Sequence, residues 1–408
     1  MQASAAIRAR IVSDKVAAAA GLDVRLFAML LIMAAIWVGL NALTGGTFLT
    51  PRNLFNLSLQ VAVVGIMSCG MVLVIVSRHI DLSVGSQIGF IGVFGGLLQN
   101  SILPIDGGAT WWIAVLAMLG AGLMIGFVQG LLIAYGGVPS FVITLGGLLF
   151  FRNAAFYINS GITIAPLNKT FQLLGGGLDG TIGALWSWIV CAAAVLAVVV
   201  FVWRGARRRA LYGMANRAPA MHVLLIAIWS LCIIGFTAVM NAYQQPRSNI
   251  AMGIPIPVLI LIGVTVAMSA LASKHRFGRH VFAMGGSPEN AELAGIDTRR
   301  LTVLVFALMG LLCGLASIVI TARLNAGASV TGTMTELNVI AAAVIGGTSL
   351  AGGVGTVYGA IVGALIMQSL ESGMILMGVA TPLQRMVLAL VLIAAVWVDM
   401  AYRRARMT

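Results

Sequence analysis

The sequence is 408 residues long, 60% hydrophobic and only 9% charged, with a mean hydropathy of +1.05. Soluble domains are nearer a quarter charged and under half apolar, whereas this composition fills about a dozen spans of ~20 residues. A soluble enzyme, a disordered chain and a nucleic-acid-binding domain are excluded, and the net charge of +13 must be sorted by membrane side before it speaks of partners.

Residues 1–25 carry Arg8, Arg10, Lys15 and Arg25 and lead into an apolar run at Leu26–Leu43 with no small-residue cleavage site behind it. They read as a retained cytoplasmic segment before a first span. Further apolar runs predict spans near 58–77, 84–102, 111–135, 141–158, 182–203, 221–240, 254–273, 301–321, 337–353, 356–376 and 384–400. Gly346, Gly347, Gly352 and Gly353 interrupt the run at 337–353, which either spans or re-enters. The expected fold is all-α: one polytopic membrane bundle over 26–400, about 10–12 transmembrane helices, and a cytoplasmic tail at 401–408.

With the N-terminus inside, the inner segments hold four basic residues in 1–25, Arg78, five each in 204–220 and 274–300, and three in 401–408. The outer segments hold only Arg52, Lys169, Arg247, Arg323 and Arg385, and Arg152 lies within a span. Cytoplasmic loops are the ones enriched in Lys and Arg, so both termini are placed in the cytoplasm.

Glycines at four-residue spacing (Gly92/Gly96, Gly122/Gly126/Gly130, Gly310/Gly314, Gly359/Gly363) let helix backbones approach closely in lipid, and predict packing within the bundle rather than a dimer seam. A faint repeat sets Ile80–Gly85 against Thr348–Gly353, each ahead of a glycine-rich span; Gly-broken segments in repeated halves are a transporter feature. Cys69, Cys191, Cys232 and Cys313 sit far apart in apolar runs and read as small hydrophobes.

The three lysines follow Asp14, Asn168 and Ser273, so no Gly-Lys pair and no P-loop exists in the chain; H-E-x-x-H and G-x-S-x-G are absent too. His275 and His280 lack Cys or carboxylate neighbours at ligand spacing, and no metal or cofactor is expected. Ionisable groups near the bilayer are few. Asp81 reads as a helix start with Arg78 as local partner, Arg152 as a cation seeking an acid or the outer surface, and Glu336 as a carboxylate at a helix N-terminus. Glu371 lies inside a span beside Gln368 and Ser372. Uncharged polar residues dominate the rest. Asp81, Gln129, Asn153, Asn338, Thr348, Gln368 and Glu371 are the candidates for a path taken by a neutral polyol, which needs hydrogen-bond partners and no countercharge. Interhelical hydrogen bonding is the competing role for each.

The longest polar stretch after residue 25 is Lys274–Arg300. Within it Ser287 at N-cap, Pro288 at N1, Glu289 in the first turn and Gly295 as stop predict a short helix over 287–295 suited to docking a soluble partner. The segment Phe277-Gly-Arg through Met284-Gly-Gly-Ser-Pro-Glu-Asn-Ala-Glu-Leu-Ala-Gly-Ile296 resembles the coupling loop of permease subunits in sugar ABC importers. So do Val74–Ser86, Val138–Leu145 and Ala343–Gly355, in the family's order; the chain has Ser287 and Asn290-Ala291-Glu292 where the family usually shows Asn and Ala-Ala-Arg. The additional portion at 204–253 is similar to the D-xylose permease branch.

This resemblance implies a monosaccharide permease of the bacterial inner membrane, working as a homodimer. An ATPase subunit would dock on Ser287, Pro288, Glu289, Ala291, Glu292, Leu293 and Gly295 and bind the ATP; a periplasmic sugar-binding protein would deliver the sugar from outside. A proton-coupled secondary sugar transporter is the alternative. It requires a titrating carboxylate on the path, for which Glu371 is the candidate, and it leaves the 274–300 loop unexplained.

Overall fold

The computed structural model describes residues 24–177, 179–212, 219–245 and 250–407. The N-terminal segment predicted at 1–25 therefore lies outside the described residues except for Val24 and Arg25, as do 213–218 of one basic loop and 246–249. The elements are α1 (Val24–Leu43), α2 (Pro51–Val76), α3 (Val84–Leu97) continued by a π turn (Leu98–Ile102), α4 (Thr110–Ala134), α5 (Ser140–Asn159), α6 (Lys169–Leu173), α7 (Gly183–Leu211) and α8 (Pro219–Ala242). They continue with α9 (Ile256–Ser273), α10 (Arg276–Gly286), α11 (Pro288–Leu293), α12 (Thr298–Leu324), α13 (Thr335–Ile345), α14 (Val357–Leu376) and α15 (Thr381–Met407).

Nine of these helices are long and apolar enough to cross a membrane, and α13 and the first part of α15 are shorter apolar helices. The protein is a multi-pass helical bundle with no strand among the described residues. Where sequence and structure differ, the reason is local. The second span starts at Pro51 rather than near 58, because Pro at the first helical position opens α2 while Arg52, Asn53 and Asn56 hide that turn in a polar stretch.

The core is built on α2 and α12. In α2 every residue from Val61 to Val76 is buried, so this helix has no lipid-facing stripe. Glycines set the closest approach. Cβ atoms on Gly122, Gly126 and Gly130 of α4 would strike the backbone of α12 at Gly310, Phe306 and Val303, and Gly310 would strike Gly122 in return. Gly359 and Gly363 of α14 meet Gly346 and Ala342 in the same manner. These seams lie within one chain, as the spacing predicts. By contrast α7 and α8 form a peripheral hairpin, with Leu196, Phe201, Leu231 and Ile234 among its exposed apolar side chains. It is pinned at one end, where the Ile254 amide donates to Ser187 Oγ at 2.8 Å.

Two helices begin in the middle of the bundle rather than at its surface. α12, with 27 residues, is ~40 Å long. Near its start Thr302 Oγ1 is 3.5 Å from His79. Farther along, Ser317 Oγ donates to the Ile88 carbonyl at 2.8 Å, and a Cβ on Gly92 would lie 2.6 Å from Thr321 Oγ1. The chain thus climbs alongside α12 without helical hydrogen bonds from His79 to Ser83, and α3 starts halfway up. After α12 the chain returns down α3: Gly327 packs on Gly92, Ser329 and Thr331 on Gly89, and Gly332 on Gly85. There α13 starts and runs in the opposite sense to α3. The N-termini of α3, 14 residues with a five-residue π continuation, and of α13, 11 residues, therefore meet inside the bundle, partway along α12.

Candidate functional site

The meeting point joins Asp81, Ser83, Gly85, Gln87, Gly332 and Glu336, with α4 and α5 closing its sides. Asp81 is 1% exposed and accepts from the Ser83 amide at 2.9 Å and the Ser83 hydroxyl at 2.6 Å. It does not pair with Arg78, contrary to the sequence expectation, because Arg78 turns away to the end of α10. Nor does Asp81 open the helix: Ser83 occupies the N-cap position of α3.

The Ser83 hydroxyl in turn accepts from Gln87 Nε2 at 2.7 Å and Gln129 Nε2 at 3.0 Å, and Gln87 Nε2 also donates to Gln129 Oε1 at 3.1 Å. Buried polar groups are tolerated when they satisfy one another in this way. The closure is incomplete: Gln87 Oε1 and Glu336 Oε2 are buried with no hydrogen-bond partner among the described residues. Each is an acceptor, and a neutral molecule rich in hydroxyl groups carries the matching donors. A groove of about 520 Å³ between α4 and α5, lined by Gln129, Gly146, Gly147 and Phe150 among others, opens beside this network.

Arg152 of α5 caps the site on its second side. Rather than reaching an acid by a direct ion pair or running to the surface, its Nη1 donates to the carbonyls of Ser329 and Thr331 at 3.2 and 3.3 Å and to Thr333 Oγ1 at 2.7 Å. It thereby holds the non-helical return from α12 to α13 in place; irregular backbone at depth has to be satisfied by protein groups. Glu336 sits in the first turn of α13, as expected of an acid at a positive dipole end, though inside the bundle and not at its outer surface.

The other predicted path residues divide. Asn338 Nδ2 and Gln368 Nε2 both donate to Glu371 Oε2, at 3.3 and 3.0 Å, which brings three of the candidates together between α13 and α14. Asn153 stands alone, exposed and bonded back to the Leu149 carbonyl at 2.7 Å. Thr348 is far from both clusters, fully buried in the loop after α13. Ser83, at the centre of this network, is the residue that pattern reading did not single out; its signal was the Asp-x-Ser spacing directly ahead of a helix.

At the surface end of the bundle, the polar stretch 274–300 folds into α10 and α11. Ser287 is the N-cap of α11, Pro288 its first residue, and Ser287 Oγ accepts from the Asn290 amide at 3.3 Å. Ala291 is the one buried residue of α11, while Glu289, Glu292 and Leu293 are exposed, Leu293 at 87%. Gly295 ends the segment at φ 80°, the left-handed geometry that glycine supplies. Glu292 Oε1 accepts from Thr298 Oγ1 at 2.6 Å and Glu289 Oε2 from Ser287 Oγ at 3.2 Å, so the two acids are held locally while Leu293 projects outward.

The chain is 37% identical to the xylose transport system permease protein XylH of Escherichia coli strain K12 over 94% of this chain and 93% of that protein. It is 34% identical to XylH of Haemophilus influenzae over 94% of this chain and 98% of the relative. Against the ribose import permease protein RbsC of Escherichia coli strain K12 the identity is 32%, over 90% and 92% of the two chains. No solved structure matches the chain. A family model described as the permease component of branched-chain amino acid transport systems matches residues 53–396, and the chain belongs to that family of transport-system permeases.

Proposed function

We propose that this chain is the membrane permease of a bacterial inner-membrane ABC importer for a monosaccharide, D-xylose or a related pentose or hexose. The observation that carries this reading is the 37% identity to a xylose transport system permease along nearly the whole of both chains. The site is compatible with that cargo: Ser83, Gln87 and Gln129 are uncharged hydrogen-bonding side chains, and the unpartnered acceptors Gln87 Oε1 and Glu336 Oε2 suit sugar hydroxyls.

The face bearing α10 and α11 is cytoplasmic in this reading. It collects Arg78, Arg204, Arg207, Arg208 and Arg209 and the basic residues of 274–300, the loop enrichment expected inside. A separate ATPase subunit docks there against Glu289, Glu292 and Leu293 and binds the ATP, since the chain has no P-loop of its own. A periplasmic binding protein delivers the sugar to the opposite face, and two permeases associate side by side.

The two half-helices, α3 and α13, supply the alternation of access. One break opens from the inner face and the other from the outer face, and they share a single meeting point inside the bundle, the arrangement by which rocking repeats expose a fixed site to each side in turn.

Uptake of labelled D-xylose by cells carrying the permease, with and without the ATPase, tests the proposal. Uptake is expected to vanish without the ATPase and to persist when an uncoupler collapses the proton gradient. Uptake that survives ATPase deletion and stops with the uncoupler refutes it.

A further inference from the structure

Arg78 stands at the turn that ends α2, in the left-handed conformation at φ 64°. A residue with a Cβ occupies that region at a cost, so the surroundings have to hold it there. What holds it is the end of α10. Arg78 Nε donates to the Gly285 carbonyl at 2.7 Å and Nη2 to the Gly286 carbonyl at 2.7 Å. The last carbonyls of a helix are orphan acceptors with negative partial charge, and a guanidinium fork matches two of them at once.

Three backbones close on this point. The Gly353 amide donates to the Val76 carbonyl at 2.9 Å. A Cβ on Gly285 would collide with that same Val76 oxygen and lie 2.7 Å from the Gly353 nitrogen. A Cβ on Gly352 would lie 2.5 Å from Arg78 Cγ and 2.7 Å from the Gly285 carbonyl oxygen. No layer of side chains separates the docking segment from the end of α2 or from the loop after α13. Close-packed backbones of this kind transmit displacement instead of absorbing it.

The chemistry extends into α11. The Glu289 carboxyl is held below the usual carboxylate range chiefly by its own backbone N–H and the Ser287 hydroxyl, with Arg78 adding to the effect. Arg78 is thus placed among α10, α11 and the two paths into the buried site: residues 79–83 lead from it to α3, and 346–353 connect the end of α13 back to it.

We propose that Arg78 is a positioning residue that ties the α10–α11 segment to both broken helices, so that movement imposed on α11 by a docked partner displaces the two half-helices together. The proposal rests on the importer reading above, and Arg78 itself touches neither nucleotide nor sugar in it.

The test uses the whole complex in liposomes, with permease, ATPase and sugar-binding protein, and D-xylose as the transported probe. Sugar accumulated per ATP hydrolysed is measured for the wild type, R78Q and R78K. R78Q is expected to insert, to co-purify with the ATPase and to support ATP hydrolysis, while sugar moved per ATP falls about tenfold, the scale of a lost pair of charge-assisted bonds. R78K is expected to fall in between, because an ammonium cannot present the planar fork. A ratio within about twofold of wild type in R78Q overturns the proposal. So does loss of ATPase co-purification, which would make Arg78 a docking contact. If R78Q fails to insert, R78K decides, and an unchanged ratio there overturns the proposal as well. A wild-type complex that does not assemble with the ATPase refutes the importer reading itself, a failure visible before any variant is compared.

Discussion

Gly85 and Glu336 meet where two helices begin. A Cβ on Gly85 would overlap the Glu336 carboxylate on one side and the Gly332 carbonyl oxygen on the other, and a Cβ on Gly332 would overlap the Gly85 carbonyl. The first turns of α3 and α13 are in backbone contact, which only glycine at both positions permits. The strain of a side chain here cannot be spread along a helix face, because the obstacles are backbone and a buried acid.

Gly85→Ala is therefore expected to lower the thermal midpoint of the purified permease, with an overpacking cost of about 1–3 kcal/mol, and to abolish uptake. Gly96→Ala in the same chain segment is the control. Its nearest neighbours, Ile164 and Gly327, are 3.4 Å or more from the added atom, so stability should stay within about 0.5 kcal/mol of wild type. Equal behaviour of the two variants in a thermal-shift assay would remove the half-helix junction as a constraint.

The seam between α4 and α12 gives a second contrast. A Cβ on Gly310 would overlap the Gly122 carbonyl and come within 2.8 Å of the Gly126 nitrogen, whereas Gly120 has no atom within 4 Å. Gly310→Ala should cost about 1–3 kcal/mol by forcing the helices apart, and Gly120→Ala should be neutral or slightly stabilising through helix propensity. Detergent-resistant folding, followed by fluorescence-detected size exclusion over a temperature series, separates them.

These glycines also mark how far the sequence could be read. The helical class and the glycine spacing are local properties, and they reappear where periodicity put them. The break at 337–353 announced itself through four glycines, and the helix does stop at Ile345. The earlier break was also placed, between spans ending at 77 and starting at 84, but its depth was not. Arg78–Ser83 contains neither Gly nor Pro, so nothing in it signals that residues 79–83 run unwound beside α12 to half its height, and Asp81 looked like an ordinary helix start. The non-helical stretch that packs against α3 is 326–334, and its depth is set by what packs alongside, which leaves no mark on hydropathy. Partner choice was hidden for the same reason: Arg152 and Glu336 were visible as buried ionisable groups, but their partners are nearly two hundred residues away or are backbone atoms.

The short helix α11 makes a pH prediction. Glu289 has its carboxyl held down by its own backbone N–H, by Ser287 and by Arg78, so the folded form prefers it ionised. A carboxyl depressed in the folded state adds stability above its unfolded value, and that stability is lost as pH falls through the depressed one. The protection factors of the amides across 288–293, measured against the intrinsic exchange rate at each pH, should stay constant from neutral pH down to the ordinary carboxylate range and fall below it. Ser287→Ala removes both the N-cap acceptor and the hydroxyl beside Glu289, so it should speed exchange already at neutral pH by several-fold, as loss of a cap worth about 1 kcal/mol does. No change in either measurement would separate this helix from its cap.

Glu371 decides between energy sources. Its Oε2 accepts from both Asn338 and Gln368, which join α13 to α14. In a proton-coupled carrier such an acid has to gain and lose a proton in each cycle, and Glu371→Gln, fixed in the neutral form, would stop accumulation outright. In an ATP-driven permease the same side chain is a hydrogen-bond acceptor. A glutamine keeps one carbonyl oxygen for Asn338 or Gln368, at the loss of about 1 kcal/mol for weaker acceptance. Glu371→Gln should therefore retain most D-xylose uptake, and the uptake should be unaffected by an uncoupler while ATP is supplied. Glu371→Leu, which strands both amide donors, should fall much further through instability, read as a lower thermal midpoint. Complete loss of accumulation in Glu371→Gln at wild-type stability, with uncoupler sensitivity in the wild type, would transfer the chemistry of the site from hydroxyl recognition to proton transfer.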